Sequence, residues 1–311
     1  MEPILQIEHL SITFTQYSRG ARRRELPVIR DLSLSLSPGE VTAVVGASGS
    51  GKSLLAHAIL GLLPYNSRRE GSILYKGQEL TPRRLEKLRG REISLVPQGV
   101  TYLDPLMKVG PQLTQGRRDI DTRRRAQKAL SRYGLGPETE RRYPFQLSGG
   151  MARRVLMASA VMESPQLIIA DEPTPGLDAQ AAGRLLGHFR ELAQEGAAVL
   201  FITHDLELAL TVAHRVAVFY AGETIEEALA SDFEAGSLRH PFTQALWDAL
   251  PQRGFRPIPG SQPYPGEVGE GCPFLGQCPH PGADCAQGPL PLRPFQGGAV
   301  RCLYPNKEVA P

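Results

Sequence analysis

Long apolar stretches are missing from this chain of 311 residues. No window holds roughly 18 consecutive apolar residues, so no single segment is long enough to cross a bilayer as a helix. The N-terminal residues MEPILQIEHLSITF also lack the charged start, the long apolar block and the small-residue cleavage site of a secretory signal. We therefore expect an unprocessed, intracellular chain. Hydrophobic residues still make up 41% of the sequence, enough to fill one large domain and a smaller one.

A strong charge imbalance is also missing, because 35 basic residues face 32 acidic ones and the net charge is only +3. The arginines do form runs, at Arg22 to Arg24, Arg117, Arg118, Arg123 to Arg125, Arg141, Arg142, Arg153 and Arg154. Such runs occur on nucleic-acid-binding faces. Here no aromatic residues interleave with them, as a stacking surface would require. We therefore expect solvated loops and helix faces, some near anionic lipid, and no nucleic-acid partner.

Cysteine is absent from the first 271 residues, and all four cysteines lie at the end of the chain, at Cys272, Cys278, Cys285 and Cys302. The spacing C-x5-C-x6-C-x16-C lacks the tight C-x-x-C knuckles of a zinc ribbon. Disulfides are disfavoured in a reducing cytosol. Four thiolates can close around zinc or around a four-iron four-sulfur cluster, and four unrelated cysteines without metal are the third alternative.

Apolar strands and helical segments alternate along most of the chain, which favours a parallel sheet. Buried strands are predicted at VTAVVG (41–46), REISLVPQ (91–98), QLIIADEP (166–173) and AAVLFITHD (197–205). Other predicted strands lie at 4–14 and about 28–36, with a loop or a long hairpin turn at 17–26 and a hairpin at 71–80. Helices are predicted at 53–62 and about 179–194, and an arginine-rich helical region at 99–163.

The composition shifts after about residue 235, where one helix, HPFTQALWDAL, precedes a stretch rich in proline and glycine. We place a boundary there, with one domain at 1–238 and a small C-terminal appendage at 239–311.

The segment VVGASGSGKSLLAHAILG fits the pattern G-x-x-x-x-G-K-[ST] between a strand and a helix. Glycines let successive backbone N–H groups approach phosphate oxygens, and the helix directs its positive end at the anion. Lys52 adds a charge for the β- and γ-phosphates of a nucleotide, and Ser53 offers a hydroxyl to Mg²⁺. The predicted phosphate-binding residues are Gly46, Ala47, Ser48, Gly49, Ser50, Gly51, Lys52, Ser53 and Leu54.

Two adjacent carboxylates, Asp171 and Glu172, follow the buried strand LIIA. Buried carboxylates are costly unless a cation needs them. Asp171 is predicted to hold Mg²⁺ and Glu172 to act as general base on the attacking water. His204, at the end of the next strand, can sense the γ-phosphate or orient the water.

The segment LSGGM, followed by ARRVLMASAVMESPQLIIADEP, resembles the signature region of ABC-type ATPases. The resemblance covers residues 4 to 235. It implies an α/β P-loop NTPase of the ABC type, with a mixed-sheet core, an antiparallel β subdomain, a helical signature subdomain at about 99–163 and a small Cys-rich C-terminal extension. It also implies that ATP, with Mg²⁺, is hydrolysed between two subunits.

The same resemblance assigns roles to further residues. Gln98 resembles the Q-loop glutamine, a catalytic and Mg²⁺ contact, and His204 the switch histidine. Phe14 is the candidate for stacking on adenine, with Tyr17 as the alternative. The signature contacts would be Ser148, Gly149 and Gly150, and the D-loop Gly176, Leu177 and Asp178.

Several positions depart from the usual ABC pattern without removing a catalytic group, so we expect competent hydrolysis. Gly99 and Val100 follow the Q-loop glutamine, Met151 replaces the common glutamine of the signature, and Pro175 and Gly176 replace a small polar pair.

Within this class the chain resembles ATPases of the dipeptide, oligopeptide and nickel importers, and the nickel or opine-metallophore branch is the most similar, with the dipeptide importers as the alternative. The segments GKSLLAHAILGLLP, YPFQLSGGM, VAVFYAGETIEE, HPFTQALWDALP and GCPFLGQCPHPGADC carry the resemblance. It implies a peripheral subunit at the cytoplasmic face of the membrane. Its partners would be a second, different ATPase, two permeases and an extracytoplasmic binding protein. The cargo would be peptides, nickel or a metal chelate, and the tail would hold a structural iron–sulfur cluster, with zinc as the alternative. The competing interpretation is a soluble ABC ATPase acting on nucleic acid.

Overall fold

The computed structural model describes residues 2–17, 23–258 and 260–306. Its centre is a parallel sheet in the order β9-β3-β8-β7-β6. These strands are β3 (Val41–Gly46), β6 (Ile93–Val96), β7 (Leu167–Asp171), β8 (Ala198–Ile202) and β9 (Arg215–Tyr220). The parallel arrangement of the apolar segments is as predicted. The carboxyl ends of β3 and β7 lead into the phosphate-binding loop and the acidic pair.

A mostly antiparallel part extends this sheet on one side, in the order β5-β4-β1-β2-β10-β9, in which the β2–β10 pair, Asp31 with Glu223, is parallel. It consists of β1 (Leu5–Tyr17), β2 (Arg23–Leu36), β4 (Ser67–Tyr75), β5 (Gln78–Glu79) and β10 (Glu223–Leu229). Of the two alternatives predicted for 17–26, a loop or a long hairpin turn, the described residues favour the hairpin. Tyr17 pairs with Arg23 and Gln16 with Arg24, so the two strands continue as a polar ribbon. Residues 18–22 lie outside the described part of the chain.

The central strands are buried on both faces, and alternate residues enter two different cores. Ile168 and Ala170 of β7 belong to a core shared with the helices, whereas Leu167 and Ile169 join a core shared with the N-terminal strands. This two-sided burial explains the continuous apolar runs seen in the sequence. It also fixes the register of β7, and therefore the position of the acidic residues at its end.

The helices flank the sheet, and the predicted ones lie close to their predicted positions, whereas the short helices at 82–88, 206–210 and 230–235 were not predicted. They are α1 (Lys52–Leu60), α2 (Pro82–Leu88), α3 (Val109–Leu113), α4 (Ile120–Arg132), α5 (Gly149–Val161), α6 (Ala179–Gln194), α7 (Leu206–Leu210), α8 (Ala230–Ala235) and α9 (Pro241–Asp248). The region 99–163 contains α3, α4 and α5, joined partly by short 3-10 turns. Asp119, Ser148 and Asp178 cap α4, α5 and α6, because each side chain accepts a hydrogen bond from a backbone N–H of the first turn. Among the described residues, no helix combines the length and hydropathy needed to cross a membrane.

The C-terminal segment contributes to the same sheet. Strands β11 (Arg293–Phe295) and β12 (Gly298–Val300) form a hairpin, and β12 pairs with β10. Directly after β12, Arg301 is only 2% exposed and donates from Nη1 to Asp31 Oδ2 at 2.9 Å. The residues after 239 therefore complete the fold of the first 238. The exact domain boundary stays a prediction.

A second buried ion pair fastens the start of this segment. Arg239 and Glu226 are almost fully buried, and the carboxylate of Glu226 accepts from the backbone N–H groups of Arg239 and His240, both at 2.8 Å. Burial raises the pKa of Glu226 despite these donors. A buried carboxylate is costly without such partners, so the contacts of Glu226 fix how the segment beginning at Arg239 packs against β10.

Candidate functional site

The loop after β3 is shaped by glycine. A Cβ at Gly46 would collide with the carbonyl of Phe219, and one at Gly51 would lie 2.9 Å from Ile29 Cγ1. Gly51 also has a φ of 97°, in the left-handed region, and occupies the N-cap position of α1. Since glycine offers no capping side chain, the first N–H groups of α1 are free to receive an anion.

Lys52 is buried at the start of α1, and its Nζ donates to the carbonyls of Gly46 at 2.8 Å and Ala47 at 2.9 Å. Burial lowers its pKa below the usual range, while the nearby charges of Glu172 and Asp171 oppose that shift. The amine is thus held against the loop that the sequence assigns to phosphate binding, and anionic groups stabilise its charged form.

Ser53 and Asp171 form the oxygen-rich side of the site. Ser53 Oγ donates to Asp171 Oδ1 at 3.1 Å. Burial raises the pKa of Asp171 above its usual range, with the charge of Glu172 acting in the same direction. A cation beside these two oxygens would stabilise the ionised carboxylate. Hydroxyl and carboxylate oxygens are the ligands that Mg²⁺ prefers, so the pair fits the predicted metal position.

Glu172 is held by both of the residues predicted to act with it. Gln98 Nε2 donates to Glu172 Oε2 at 3.0 Å, and His204 Nδ1 lies 3.2 Å from Glu172 Oε1. The backbone of Glu172 has a φ of 43°, unusual for a residue other than glycine, and its N–H donates to the carbonyl of Ile202 at 2.9 Å. The strained backbone and the two side-chain contacts together fix the direction of the carboxylate.

Of the groups just described, Lys52, Ser53, Gln98, Glu172 and His204 line one pocket of about 510 Å³. Its lining residues are Val28, Ser48, Gly49, Gly51, Lys52, Ser53, Leu54, Gln98, Glu172 and His204. The structure thus brings together most of the predicted phosphate-binding and catalytic residues, which are far apart in the sequence. Val28 was missed, because it reads only as one apolar residue at the start of a strand.

The two candidates for adenine stacking do not line this pocket. Phe14 pairs with Leu26 and Ser67 within the sheet and packs against the N-terminal core. Tyr17 is exposed at the end of β1. Adenine stacking by either residue therefore stays a prediction.

The signature residues are also absent from this pocket. Ser148 and Gly149 are exposed at the start of α5, and added Cβ atoms at Gly149 and Gly150 would meet no atom within 4 Å. Asp178 caps α6, where its Oδ1 accepts from Ala181 N at 2.8 Å. The start of α5, which Ser148 caps, is therefore open to another molecule at Gly149 and lies outside the phosphate pocket of its own chain.

The four cysteines converge on a small enclosed pocket, which His240 and His280 also line. Burial raises the pKa of Cys272 and Cys302 to about 11. Complete burial lowers the pKa of His240 to about 3. Over residues 2–17, 23–258 and 260–306, however, no three His, Cys, Asp or Glu side chains lie close enough to hold one metal ion. The predicted iron–sulfur or zinc site is therefore not confirmed.

Comparison with known proteins agrees with this geometry. Residues 29–175 match the family profile described as "ABC transporter", and residues 225–285 match "Oligopeptide/dipeptide transporter, C-terminal region". The oligopeptide transport ATP-binding protein OppD of Salmonella typhimurium is 35% identical over 98% of this chain and 95% of its own length. The chain belongs to the ATP-binding subunits of ABC transporters. The dipeptide transport ATP-binding protein DppD of Bacillus subtilis is also 35% identical, over 90% of this chain and 88% of its own length.

Solved structures of this family share the fold. A dimeric post-hydrolysis state of the ATP-binding cassette MJ0796 bound to ADP and Pi has a TM-score of 0.63 and 26% identity, covering 73% of this chain and 98% of that one. The predicted ABC-type fold and the ATP hydrolase class are confirmed, whereas the Cys-rich C-terminal extension of the predicted fold is not. These comparisons support neither the nickel branch nor the nucleic-acid alternative.

Proposed function

We propose that this ABC ATPase energises the import of oligopeptides or dipeptides. It acts as a peripheral subunit at the cytoplasmic face of the membrane, with permeases and an extracytoplasmic binding protein. The observation that carries the proposal is the likeness to OppD and DppD over nearly the whole chain, including the C-terminal region of that branch.

ATP, the substrate, would bind with its phosphates over the N-terminus of α1. Lys52 would shift from the loop carbonyls to the β- and γ-phosphates. Mg²⁺, when bound, neutralises phosphate charge, and Ser53, Asp171 and Gln98 are the residues that would hold it. Glu172 would accept a proton from the attacking water as general base. Gln98 and His204, which contact its two oxygens, keep the carboxylate in place.

The signature end of α5 would serve a different pocket. Ser148, Gly149 and Gly150 do not line the phosphate pocket of their own chain, and Asp178 does not either. We propose that they close the ATP site of a second ATPase subunit, whose own signature closes this one. MJ0796 has been solved as a dimer, which supports pairing of cassettes. We further propose a heterodimer of two different ATPases.

An exposed apolar cluster follows Gln98 and is suited to the permeases. Its members are Val100, Tyr102, Leu106 and Met107. Leu106 is 88% exposed, although such a side chain gains free energy from burial. We propose that this surface contacts cytoplasmic segments of the permeases, so that movement there reaches Gln98 and the ATP site.

Reconstitution tests the transport proposal. The chain, its partner ATPase and the permeases are placed in liposomes with the binding protein. We expect magnesium-dependent ATP hydrolysis to rise with peptide. Stimulation by nickel chelates instead would indicate the nickel branch, and stimulation of the isolated chain by DNA or RNA would refute an importer.

We also propose that the four cysteines hold a structural iron–sulfur cluster. A zinc ion needs all its thiolates about 2.3 Å from one point, whereas a cluster binds each thiolate through a separate iron atom. His240, which lines the cysteine pocket, supports this fit. Its Nδ1 accepts the Phe242 N–H at 3.0 Å, so Nε2 carries the proton. Among the described residues this buried N–H has no acceptor, and a cluster in the pocket would supply one. Iron and sulfide analysis of protein purified without oxygen tests the proposal. A colourless, metal-free and folded protein would refute it.

A further inference from the structure

Arg153 lies on α5, shortly after the signature residues, and its guanidinium reaches three backbone carbonyls. Nη2 donates to the carbonyl of Gln98 at 3.0 Å, and Nη1 donates to that of Pro173 at 2.9 Å. Nη1 also donates to the carbonyl of Pro175. Hydrogen bonds from a charged donor are roughly twice as strong as neutral ones. Arg153 therefore links α5 firmly to the backbone at Gln98 and to the segment 173–175.

The three carbonyls belong to the segments that carry the proposed catalytic residues. Gln98 is the residue whose side chain donates to Glu172. Pro173 follows Glu172 directly, and Pro175 lies on the way to Asp178. Arg153 therefore acts on Glu172 from two sides, through the side chain of Gln98 and through the chain itself.

Glu172 depends on such support because its backbone conformation is unfavourable for a residue with a side chain, with a φ of 43°. The backbone N–H is fixed by the carbonyl of Ile202, on β8. On the C-terminal side, the carbonyl of the next residue, Pro173, accepts a hydrogen bond from Arg153 on α5. The orientation of Glu172 is thus set jointly by the central sheet and by the signature helix.

We infer that Arg153 is a positioning residue that couples the signature helix to Gln98 and Glu172. Arg153 does not line the phosphate pocket, so it acts on the hydrolytic step and not on nucleotide binding. When a partner subunit engages the exposed start of α5, a small displacement of the helix moves all three carbonyls. The inference rests on the proposed role of Glu172.

The test compares Arg153→Gln, Arg153→Lys and Glu172→Gln in the assembled transporter. Arg190→Gln is the matched control, because Arg190 also donates to a backbone carbonyl, that of Thr211, away from the pocket. We expect Arg153→Gln to lower kcat about tenfold while the Kd for ATP stays within about twofold of wild type. Arg153→Lys should restore part of kcat, since an ammonium group keeps the charge but lacks the planar fork. Arg190→Gln should behave as wild type.

Two outcomes separate the inference from its premise. Turnover retained by Glu172→Gln would refute the proposed base and this inference with it. Wild-type kcat in Arg153→Gln, beside an inactive Glu172→Gln, would overturn the inference alone, as would a loss of ATP affinity equal to the loss of kcat. Thermal melting shows whether the variants are folded. If the melting temperature of Arg153→Gln lies more than about 5 °C below that of wild type, Arg153→Lys is used for the test instead. Wild-type kcat in Arg153→Lys would then overturn the inference.

Discussion

Replacement of Arg301 by methionine is expected to destabilise the whole ATPase, although the residue lies near the C-terminus. The guanidinium of Arg301 donates to Asp31 Oδ2 at 2.9 Å, to the backbone carbonyl of Asp31 at 2.8 Å and to that of Thr224 at 2.9 Å. It also donates to the carbonyl of Leu290 and lies 3.7 Å from Glu223 Oε2. The substitution keeps much of the apolar volume but leaves these acceptors without their cation.

Removing one member of a buried ion pair typically costs about 3–5 kcal/mol. The side chain of Asp31 is 30% exposed and can recover some hydration, so we take the lower end, about 3 kcal/mol. At about 2 °C per kcal/mol for a chain of this size, the melting temperature should fall by about 6 °C. Differential scanning calorimetry or circular dichroism measures this directly.

The destabilisation should depend on pH. Burial would raise the pKa of Asp31, but Arg301 and His9 together hold it below the usual value. A carboxyl with a lowered pKa in the folded state adds stability above its unfolded pKa, and this is lost as pH falls through the folded value. The difference between wild type and Arg301→Met should therefore be full near neutral pH and shrink as the pH falls below the usual aspartate range.

Arg293→Met is the matched control, because Arg293 is exposed and its guanidinium, within the described part of the chain, donates to the carbonyls of Cys302 and Leu303 alone. It should melt within about 1–2 °C of wild type. Equal melting of wild type and Arg301→Met at neutral pH would refute the claim that the C-terminal segment completes the ATPase fold.

Four further outcomes are expected. Glu172→Gln should lower kcat by at least about 100-fold while ATP binding persists, as phosphate release and a nucleotide-binding assay would show; unchanged release would exclude Glu172 as general base. Lys52→Ala should weaken ATP binding in a titration, since the main cation facing the phosphates is removed, and wild-type affinity would contradict that role. Ser148→Arg should abolish turnover of the assembled transporter but leave the affinity of the isolated chain for ATP intact; weakened affinity there would place Ser148 in its own pocket. Deletion of 252–311 should yield unstable protein with little ATPase activity, because Arg301 and β12 are lost, and full activity in the truncated chain would show that the segment is dispensable.

The convergence of the proposed phosphate-binding and catalytic residues on one pocket was predictable because their sequence signals are local. Gly46, Gly51 and Lys52 lie within one loop whose backbone conformation dictates the residue types. Asp171 and Glu172 follow a strand whose two-sided burial makes it visible as an apolar run. Since carboxyl ends of parallel strands share one edge of a sheet, the strand pattern also brings these groups together.

The long-range contacts were not predictable in the same way. Arg301 and Asp31 are separated by 270 residues, and neither carries a local signal of burial. Arg153 stands in a run of two arginines that reads as a solvated helix face, yet its guanidinium bonds to carbonyls of Gln98 and Pro173. The sequence left a loop and a hairpin open at 17–26 because the polar side chains there lack the apolar alternation that indicates a paired strand.

The pairing of β12 with β10 has a consequence for biogenesis. Strand β12, which pairs with β10, and the guanidinium of Arg301, which contacts Asp31, are both synthesised long after the strands that they stabilise. A nascent chain halted before residue 301 would leave Asp31 and Glu223 without that guanidinium, so proteases and chaperones would meet a less stable species. The ATPase fold therefore reaches its full stability only after residue 301 has been synthesised, which disfavours entry of shorter copies into a membrane complex.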